Sequence, residues 1–275
     1  MREITAKTAV LAVIGDPVGH SLSPVMHNGW IEDHGLDAVY VALPFKSAAA
    51  AAALRGLKAA RLKGLNITVP HKEAAALAAD RSEAAVANTW RWERDGTVSA
   101  FSTDGGGFVD ALTEAAPDWR DAVRQILILG AGGAAEGITH ALKDRTPVIA
   151  NRTRARAEAL AATLPNARVA DWAALDEEFA RADLIIQTTT LGMSGAASPS
   201  WPVERCKRSA IVVDIVYRPL QTPLLEAARA LRLITVDGLG MLIHQGARAF
   251  ELWFGVKPDT QKARRRLLAA LGETA

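Results

Sequence analysis

Residues 125–156 read Q-I-L-I-L-G-A-G-G-A-A-E-G-I-T-H-A-L-K-D-R-T-P-V-I-A-N-R-T-R-A-R. Ile126 to Leu129 form an uninterrupted apolar run, the pattern of a strand covered on both faces in a parallel sheet. Gly130 follows at once. With Gly132 and Ala135 it makes G-x-G-x-x-A: the first position permits a tight turn, the second lets backbone approach a pyrophosphate, and the small third lets helix pack on strand. An anion would then rest on the helix N-terminus. Val148 to Ala150 supply the next strand. The stretch therefore predicts the first strand–helix–strand unit of a dinucleotide-binding domain, with Gly130, Ala131, Gly132, Gly133 and Ala134 at the phosphates. A plain tight turn is the competing reading of the glycines, and the strand before and helix after them favour the nucleotide.

About twenty residues past the first glycine, an NAD site places an acid on the ribose 2′-hydroxyl. Here the position holds Asn151, followed by Arg152, Thr153, Arg154 and Arg156. No carboxylate repels a 2′-phosphate, and guanidinium forks that could bind one are at hand. NADP(H) is the expected cofactor. Arg154 and Arg156 could instead be a solvated helix start, but cations there oppose the helix dipole, and an anionic ligand explains them better.

The chain has 275 residues, enough for two modest domains with real cores. With 32 basic against 30 acidic residues, nothing argues for nucleic acid or an anionic membrane as partner. The single Cys206 excludes an intramolecular disulfide and a multi-cysteine zinc cluster, and no metal site is expected. Its N-terminal residues lack an apolar signal core, and no run of about eighteen apolar residues suggests a membrane span, so a cytoplasmic location is expected.

Ahead of the glycine turn, Val10 to Ile14 read as a strand. The loop V-G-H-S-L-S-P follows, then a helix with Pro24 at its start. Ser21 and Ser23 thus lie at a strand's C-terminal end, where open α/β sheets bind ligands; they could hold a carboxylate, or Ser23 could simply cap the helix. Val39 to Leu43 form a second strand, 47–61 a helix, and Leu65 to Val69 a third strand running into G-L-N-I-T-V-P-H-K. Asn66, Thr68 and Lys72 gather at that strand end, and a lysine in such a place can donate a proton or stabilise a developing alkoxide. Asn88 to Trp92 and Thr97 to Phe101 read as a hairpin, and Asp104 opens a glycine-led helix that it could merely cap. Past Asn151 the alternation of helices and strands continues to Val236. It includes a polar turn from Thr188 to Met193, a loop at 194–202 expected to be mobile, and Tyr217 after the strand at 211–215. Two C-terminal helices follow: an amphipathic one whose apolar side should pack on the first domain, with Gln245 facing the cleft, and one near 258–271 with a solvated basic face.

In order, S-L-S-P, N-I-T-V-P-H-K, A-N-T, T-D-G-x-G-F, G-A-G-G-A, N-R-T, G-M and D-G-L-G-M-L-I-H-Q span nearly the whole chain. Each motif is weak alone. The ordered set resembles the shikimate dehydrogenase family, NADP-dependent enzymes that reduce 3-dehydroshikimate. The resemblance implies an α/β fold of two domains: an N-terminal substrate domain, 1–104, completed by C-terminal helices, 239–275, and a Rossmann-type NADP-binding domain, 105–238. It implies Lys72 and Asp104 as the catalytic pair, Asp104 orienting and Lys72 acting. Ser21, Ser23, Asn66, Thr68, Asn88, Tyr217 and Gln245 would join them in lining the substrate pocket. The coenzyme would lie on residues 130–134, Asn151, Arg152, Thr153, Arg156, Thr188, Gly238 and Met241. A hinge between the domains would exclude water, and the chain would be a monomer or homodimer.

Several positions depart from the family pattern. Ser102 and Gln187 stand where asparagine is common, Trp90 and Trp92 put bulk beside Asn88, and Glu136 and Gly137 occupy the early helix after the glycine turn. They bear on substrate preference and cofactor affinity. A quinate or amino-shikimate dehydrogenase, or a non-catalytic NADP-sensing regulator, are the alternatives.

Overall fold

The structure is a computed structural model and describes residues 3–82, 84–194 and 196–273; Met1, Arg2, Glu83, Gly195, Thr274 and Ala275 lie outside the described residues. Two compact units divide the chain, Met1–Thr103 with Gln245–Ala275, and Asp104–His244. Among the described residues no helix is long and apolar enough to cross a membrane.

In the first unit a six-stranded mixed sheet is built from β1 (Ala9–Gly15), β2 (Ala38–Pro44), β3 (Gly64–Ile67), β4 (Arg81–Ser82), β5 (Thr89–Trp92) and β6 (Val98–Phe101), in the order β2-β1-β3-β5-β6-β4. β1 lies parallel between β2 and β3, which is why Leu11, Ala12, Val13 and Ile14 are at most 3% exposed. The predicted hairpin forms, with β5 antiparallel to both β3 and β6 and Gly96 at φ +84 in its turn.

Side chains alternate across each strand. Leu65, Ile67, Trp90 and Val98 face a core with Leu54 of α2 (Ala50–Ala60) and Ala75 and Ala76 of α3 (Lys72–Ala78). On another part of the unit, α1 (Ser23–Asp33) brings His27 and Trp30 against Tyr40 of β2 and against Phe250 and Trp253 near the C-terminus. His27 is fully buried there, neither ring nitrogen has a hydrogen-bond partner, and burial pushes its pKa down to about 3. The ring is a neutral packing element, as expected for a histidine without partners at metal spacing.

The basic face expected of α11 (Thr260–Leu271) is not wholly solvated. Arg266 and Lys262 both reach Asp33 at the end of α1, Arg266 through two nitrogens at 2.7 Å. Arg266 crosses α1 at Gly29, where an added Cβ would meet its guanidinium at 2.6 Å. Trp30 donates to the Asp259 carbonyl at 3.0 Å, and Asp259 caps α11 by accepting from Lys262 N–H.

The second unit starts with α4 (Asp104–Ala115) and the single turn α5 (Trp119–Ala122). It then alternates β7 (Gln125–Leu129), α6 (Gly133–Ala141), β8 (Thr146–Ala150), α7 (Arg154–Ala161), β9 (Arg168–Ala170), α8 (Leu175–Arg181), β10 (Leu184–Gln187), β11 (Ile211–Asp214), α9 (Pro223–Ala230) and β12 (Ile234–Val236). All six strands are parallel, in the order β12-β11-β10-β7-β8-β9. That is two half-sheets wound outward from β7 and β10, the doubly wound arrangement of dinucleotide-binding folds.

The apolar run that opens the reading now has its cause. Ile126 and Ile128 pack with α4 and α6, while Leu127 and Leu129 pack with α8 and α9 on the other face. α4 crosses α6 so closely that a Cβ on Gly105 would sit 2.2 Å from the Gly137 carbonyl oxygen, which accounts for glycine at 105. Trp201 is 7% exposed and stacks on Phe179, so the loop at 194–202, expected to be mobile, is anchored near its end.

α10 (Gly238–Phe254) runs across the division. Met241 belongs to the core of the second unit, whereas Phe250 and Trp253 belong to the first. The apolar side of this helix, expected to pack on the first domain, packs there at Phe250 and Trp253, while Met241 packs in the second unit, which extends through His244.

Candidate active site

Several of the expected ligands in the first unit join one buried hydrogen-bond network. Tyr40, in the middle of β2, donates to Asn66 Oδ1 at 2.7 Å. Asn66 Nδ2 donates to the Asn88 carbonyl and to Thr89 Oγ1, each at 3.1 Å. The Thr89 hydroxyl donates to Asn88 Oδ1, which also accepts the Thr103 amide at 2.8 Å. Asn88 Nδ2 donates to Thr103 Oγ1 at 2.9 Å and to Gln245 Oε1 at 3.1 Å. Asn88 thus joins β5, β6 and α10, and fixes the residue immediately before Asp104. Asn66, Asn88, Thr89 and Thr103 are buried and Gln245 is half-buried. A row of amides and hydroxyls at these strand ends can both donate and accept, as a polyhydroxylated ligand requires.

Ser23 lies near this network: burial raises the Tyr40 pKa well above the phenol range, and the Ser23 side chain opposes that rise. Ser23 does not cap α1: the cap position is Leu22, without a side-chain bond. It is Ser21 that serves the helix start, its hydroxyl accepting from Ser23 N–H at 3.2 Å.

Lys72 opens α3 and is half-buried; its carbonyl accepts from Ala87, the residue before Asn88, at 3.1 Å. His71 before it is stacked on Phe45 and bonds the Phe45 carbonyl at 2.9 Å, so the peptide leading into Lys72 is held rigidly. Thr68 donates its amide to the Ile14 carbonyl at 2.9 Å and leaves no room for a side chain at Gly15, where a Cβ would meet its methyl at 2.4 Å.

The two tryptophans beside Asn88 do not crowd the network. Trp90 donates to the Ala75 carbonyl of α3 at 3.0 Å and Trp92 to the Lys58 carbonyl of α2 at 3.1 Å, whereas Thr89, between them and Asn88, carries the network. Strand alternation puts their bulk on the face opposite Thr89. Ser102 is exposed.

In the second unit the glycine turn has the geometry that its motif demands. Gly130 has φ +118, and a Cβ there would meet Thr188 Oγ1 at 2.4 Å. At Gly132, which caps α6, an added Cβ would meet nothing within 4 Å, leaving open space above the helix N-terminus. Ala135 is fully buried against the sheet. Ala131 and Gly133 are half-buried along the same turn, with Ala134 beside them.

Thr188 is held by two bonds to the Leu129 carbonyl, from its amide and its hydroxyl, each at 2.8 Å. At the end of β8, Asn151 folds its amide onto the Thr153 carbonyl at 2.8 Å. Arg152, Thr153 and Arg156 are exposed, and neither of these two arginines is ion-paired among the described residues. Arg154 is different: it binds Glu158 at 2.8 Å and also Asp171. Of the three arginines, Arg154 is thus the one that already has carboxylate partners.

Gln187 has a structural task. Fully buried, it donates to the Thr189 and Leu191 carbonyls and to Asp214 Oδ1 at 3.3 Å, and accepts the Thr189 amide, shaping the turn after β10. Burial pushes the Asp214 carboxyl up from 3.8 to about 6, against the opposing bonds from Val216 N–H, Thr222 and Gln187. Tyr217 follows β11; it is half-buried, and that burial raises its pKa. Gly238 is pressed on the Ile215 carbonyl, where a Cβ would stand at 2.2 Å, and Met241 is 8% exposed in the core. Asp104 heads α4 and is 6% exposed. Sequence reasoning missed Tyr40, Thr89 and Thr103 as members of the polar cluster. Thr89 and Thr103 stand inside the quoted A-N-T and T-D-G motifs, whereas Tyr40 has no local signal in V-Y-V.

A doubly wound parallel sheet with an open glycine turn, in a chain whose other α/β unit holds a buried polar network, defines a dinucleotide-binding oxidoreductase of two domains. Family models agree: the shikimate dehydrogenase substrate binding domain matches residues 13–89, Shikimate / quinate 5-dehydrogenase residues 114–241, and the shikimate 5′-dehydrogenase C-terminal domain residues 238–268. The NADP(+) shikimate dehydrogenase of Rhodospirillum rubrum is 44% identical over 283 residues, covering 98% of this chain and 99% of the relative. A shikimate dehydrogenase solved in complex with NADP+ superposes with a TM-score of 0.89 at 35% identity, covering 98% of both chains. The Thermus thermophilus shikimate 5-dehydrogenase, solved with NADP(H) and shikimate, gives 0.86 at 34%, covering 96% of this chain and all of that one. The chain belongs to the shikimate dehydrogenase family.

Proposed function

We propose that the protein catalyses the reversible NADP-dependent reduction of 3-dehydroshikimate to shikimate. The observation that carries this reading is the buried network through Asn66, Asn88, Thr103 and Gln245 at the strand end leading to Lys72. Its amides and hydroxyls offer both donors and acceptors, which suits the vicinal hydroxyls of such a ring. Ser21 and Ser23 are suited to its carboxylate.

The residues also fit the cofactor. Space above Gly132 lets a pyrophosphate reach the N-terminus of α6, and the exposed Arg152 and Arg156 suit a 2′-phosphate. Thr188, Gly238 and Met241 complete the proposed coenzyme set. NADPH, when bound, supplies the hydride.

In this reading Lys72 donates a proton to the ketone oxygen or holds the alkoxide that forms there, and Asp104 orients it. Tyr217 would donate a further hydrogen bond to substrate.

Loss of nicotinamide absorbance on addition of 3-dehydroshikimate tests the reaction, with quinate and amino-shikimate as parallel substrates and NADH as parallel cofactor. Lys72→Ala is expected to lower kcat by about 10²-fold, the scale of a lost general acid, with little change in KM. Turnover near the wild-type rate removes Lys72 from the mechanism, and an inactive wild type that still binds NADPH favours a sensing role.

A further inference from the structure

A groove of about 820 Å³ opens on the first unit among the starts of β1 and β3, the end of α2, the β5–β6 turn and the last turns of α10. That volume is ample for a small molecule. Lys63 precedes β3 and Lys72 follows it, so the groove and the proposed catalytic lysine belong to opposite ends of the same strand.

Four cations line it: Arg61, Lys63, Arg91 and Arg94. Of these, only Arg91 is ion-paired among the described residues, with Glu93 at 2.7 Å. In a chain whose charges otherwise nearly cancel at +2, such a concentration is uneven. Arg61 closes α2 at φ +53, where glycine is the usual residue, and its guanidinium packs under Gly96 of the hairpin turn.

The groove also has a rigid aromatic lining. Trp253 donates to the Trp90 carbonyl at 2.9 Å and lies flat on Gly64, where a Cβ would meet its ring at 2.4 Å. Trp92, half-buried, is fixed by its bond to the Lys58 carbonyl. Arg91 is held over the Phe101 ring at 5.0 Å, and Lys63 over Phe254 at 5.4 Å. Cations presented in fixed positions beside indole rings recognise flat anions, by paired hydrogen bonds to carboxylates and by contact with the ring.

We propose that this groove is a second binding site, distinct from the polar network, for a small aromatic molecule with more than one carboxylate. Three cations without an acid partner exceed what one carboxylate neutralises, which sets the ligand's charge. Trp92, half-buried where Trp253 is only 4% exposed, sets its flat, apolar body.

Calorimetric titration with benzene-1,3-dicarboxylate tests the site on the whole chain. Single-site binding is expected, weakened at least about tenfold in Arg61→Ala/Arg94→Ala. Arg94→Ala alone, in the exposed turn, should weaken it in the same direction if the double variant does not fold. Inorganic phosphate should bind at least about tenfold more weakly than the dicarboxylate, because it cannot use the indoles. Saturating shikimate with NADP+ should leave the affinity within about twofold, the sites being independent. Absence of saturable binding up to about 10 mM, unchanged affinity in the folded variants, equal affinity for phosphate, or displacement by shikimate would each overturn the proposal.

Discussion

Asn88→Ala removes the centre of the buried network, and its cost follows from the bonds lost. Asn88 Oδ1 accepts the Thr103 amide at 2.8 Å and the hydroxyls of Thr89 and Thr103, each at 3.1 Å. Those hydroxyls stand 3.4 Å apart and can partly satisfy one another, and Gln245 is half-buried and can turn to water. The Thr103 amide has no such recourse. An orphaned buried N–H costs about 1–3 kcal/mol, and the small cavity adds to it, giving about 3 kcal/mol in all. For a chain of this size that lowers Tm by roughly 6–12 °C. Gln245→Ala is the contrast: Asn88 Nδ2 keeps Thr103, so destabilisation should stay within about 1 kcal/mol. Thermal unfolding followed by circular dichroism reads both. Because Thr103 precedes Asp104, kcat/KM for 3-dehydroshikimate should also fall in Asn88→Ala, by about 10–100-fold. A Tm within about 2 °C of wild type, with unchanged kinetics, would refute the reasoning.

Wild type should prefer NADPH to NADH by at least about tenfold. Arg152→Ala/Arg156→Ala should raise KM for NADPH by about that factor and leave NADH almost unchanged; equal losses with both coenzymes count against a 2′-phosphate contact. Asp214 has a higher pKa folded, about 6, than its reference of 3.8, so the stability it lends is complete below pH 3.8 and is lost as pH rises through 6. Asp214→Asn should therefore gain on wild type by about 2–3 kcal/mol between about pH 4 and pH 7 in urea unfolding, and a pH-independent difference would contradict this. Asp33 has the opposite sign: chiefly the Arg266 fork, with Lys262, holds its carboxyl well below the usual range, so its contribution is present above 3.8 and fades as pH falls. Asp33→Asn should cost about 1 kcal/mol at neutral pH and less in acid, and an equal cost at both would refute that account.

The sequence alone determined the second unit because its signals are local. A strand sandwiched between helices must be apolar throughout, and a turn at positive φ that Thr188 crowds must be glycine; both constraints are written at Ile126 to Gly130. The ordered motifs placed Lys72 and Asp104 at helix starts for the same reason. Only the tertiary structure decided which polar residues meet. Tyr40 and Asn66 are 26 positions apart and touch because β1 holds β2 and β3 in register on either side of it. The same folding tied Trp90 to α3 and Trp92 to α2, paired Arg154 with Glu158 and Asp171, and gave Gln187 a turn to organise. Strand alternation tells which side of its own strand a residue takes. The partner it finds depends on how strands and helices from distant parts of the chain pair and pack, and no local stretch encodes that.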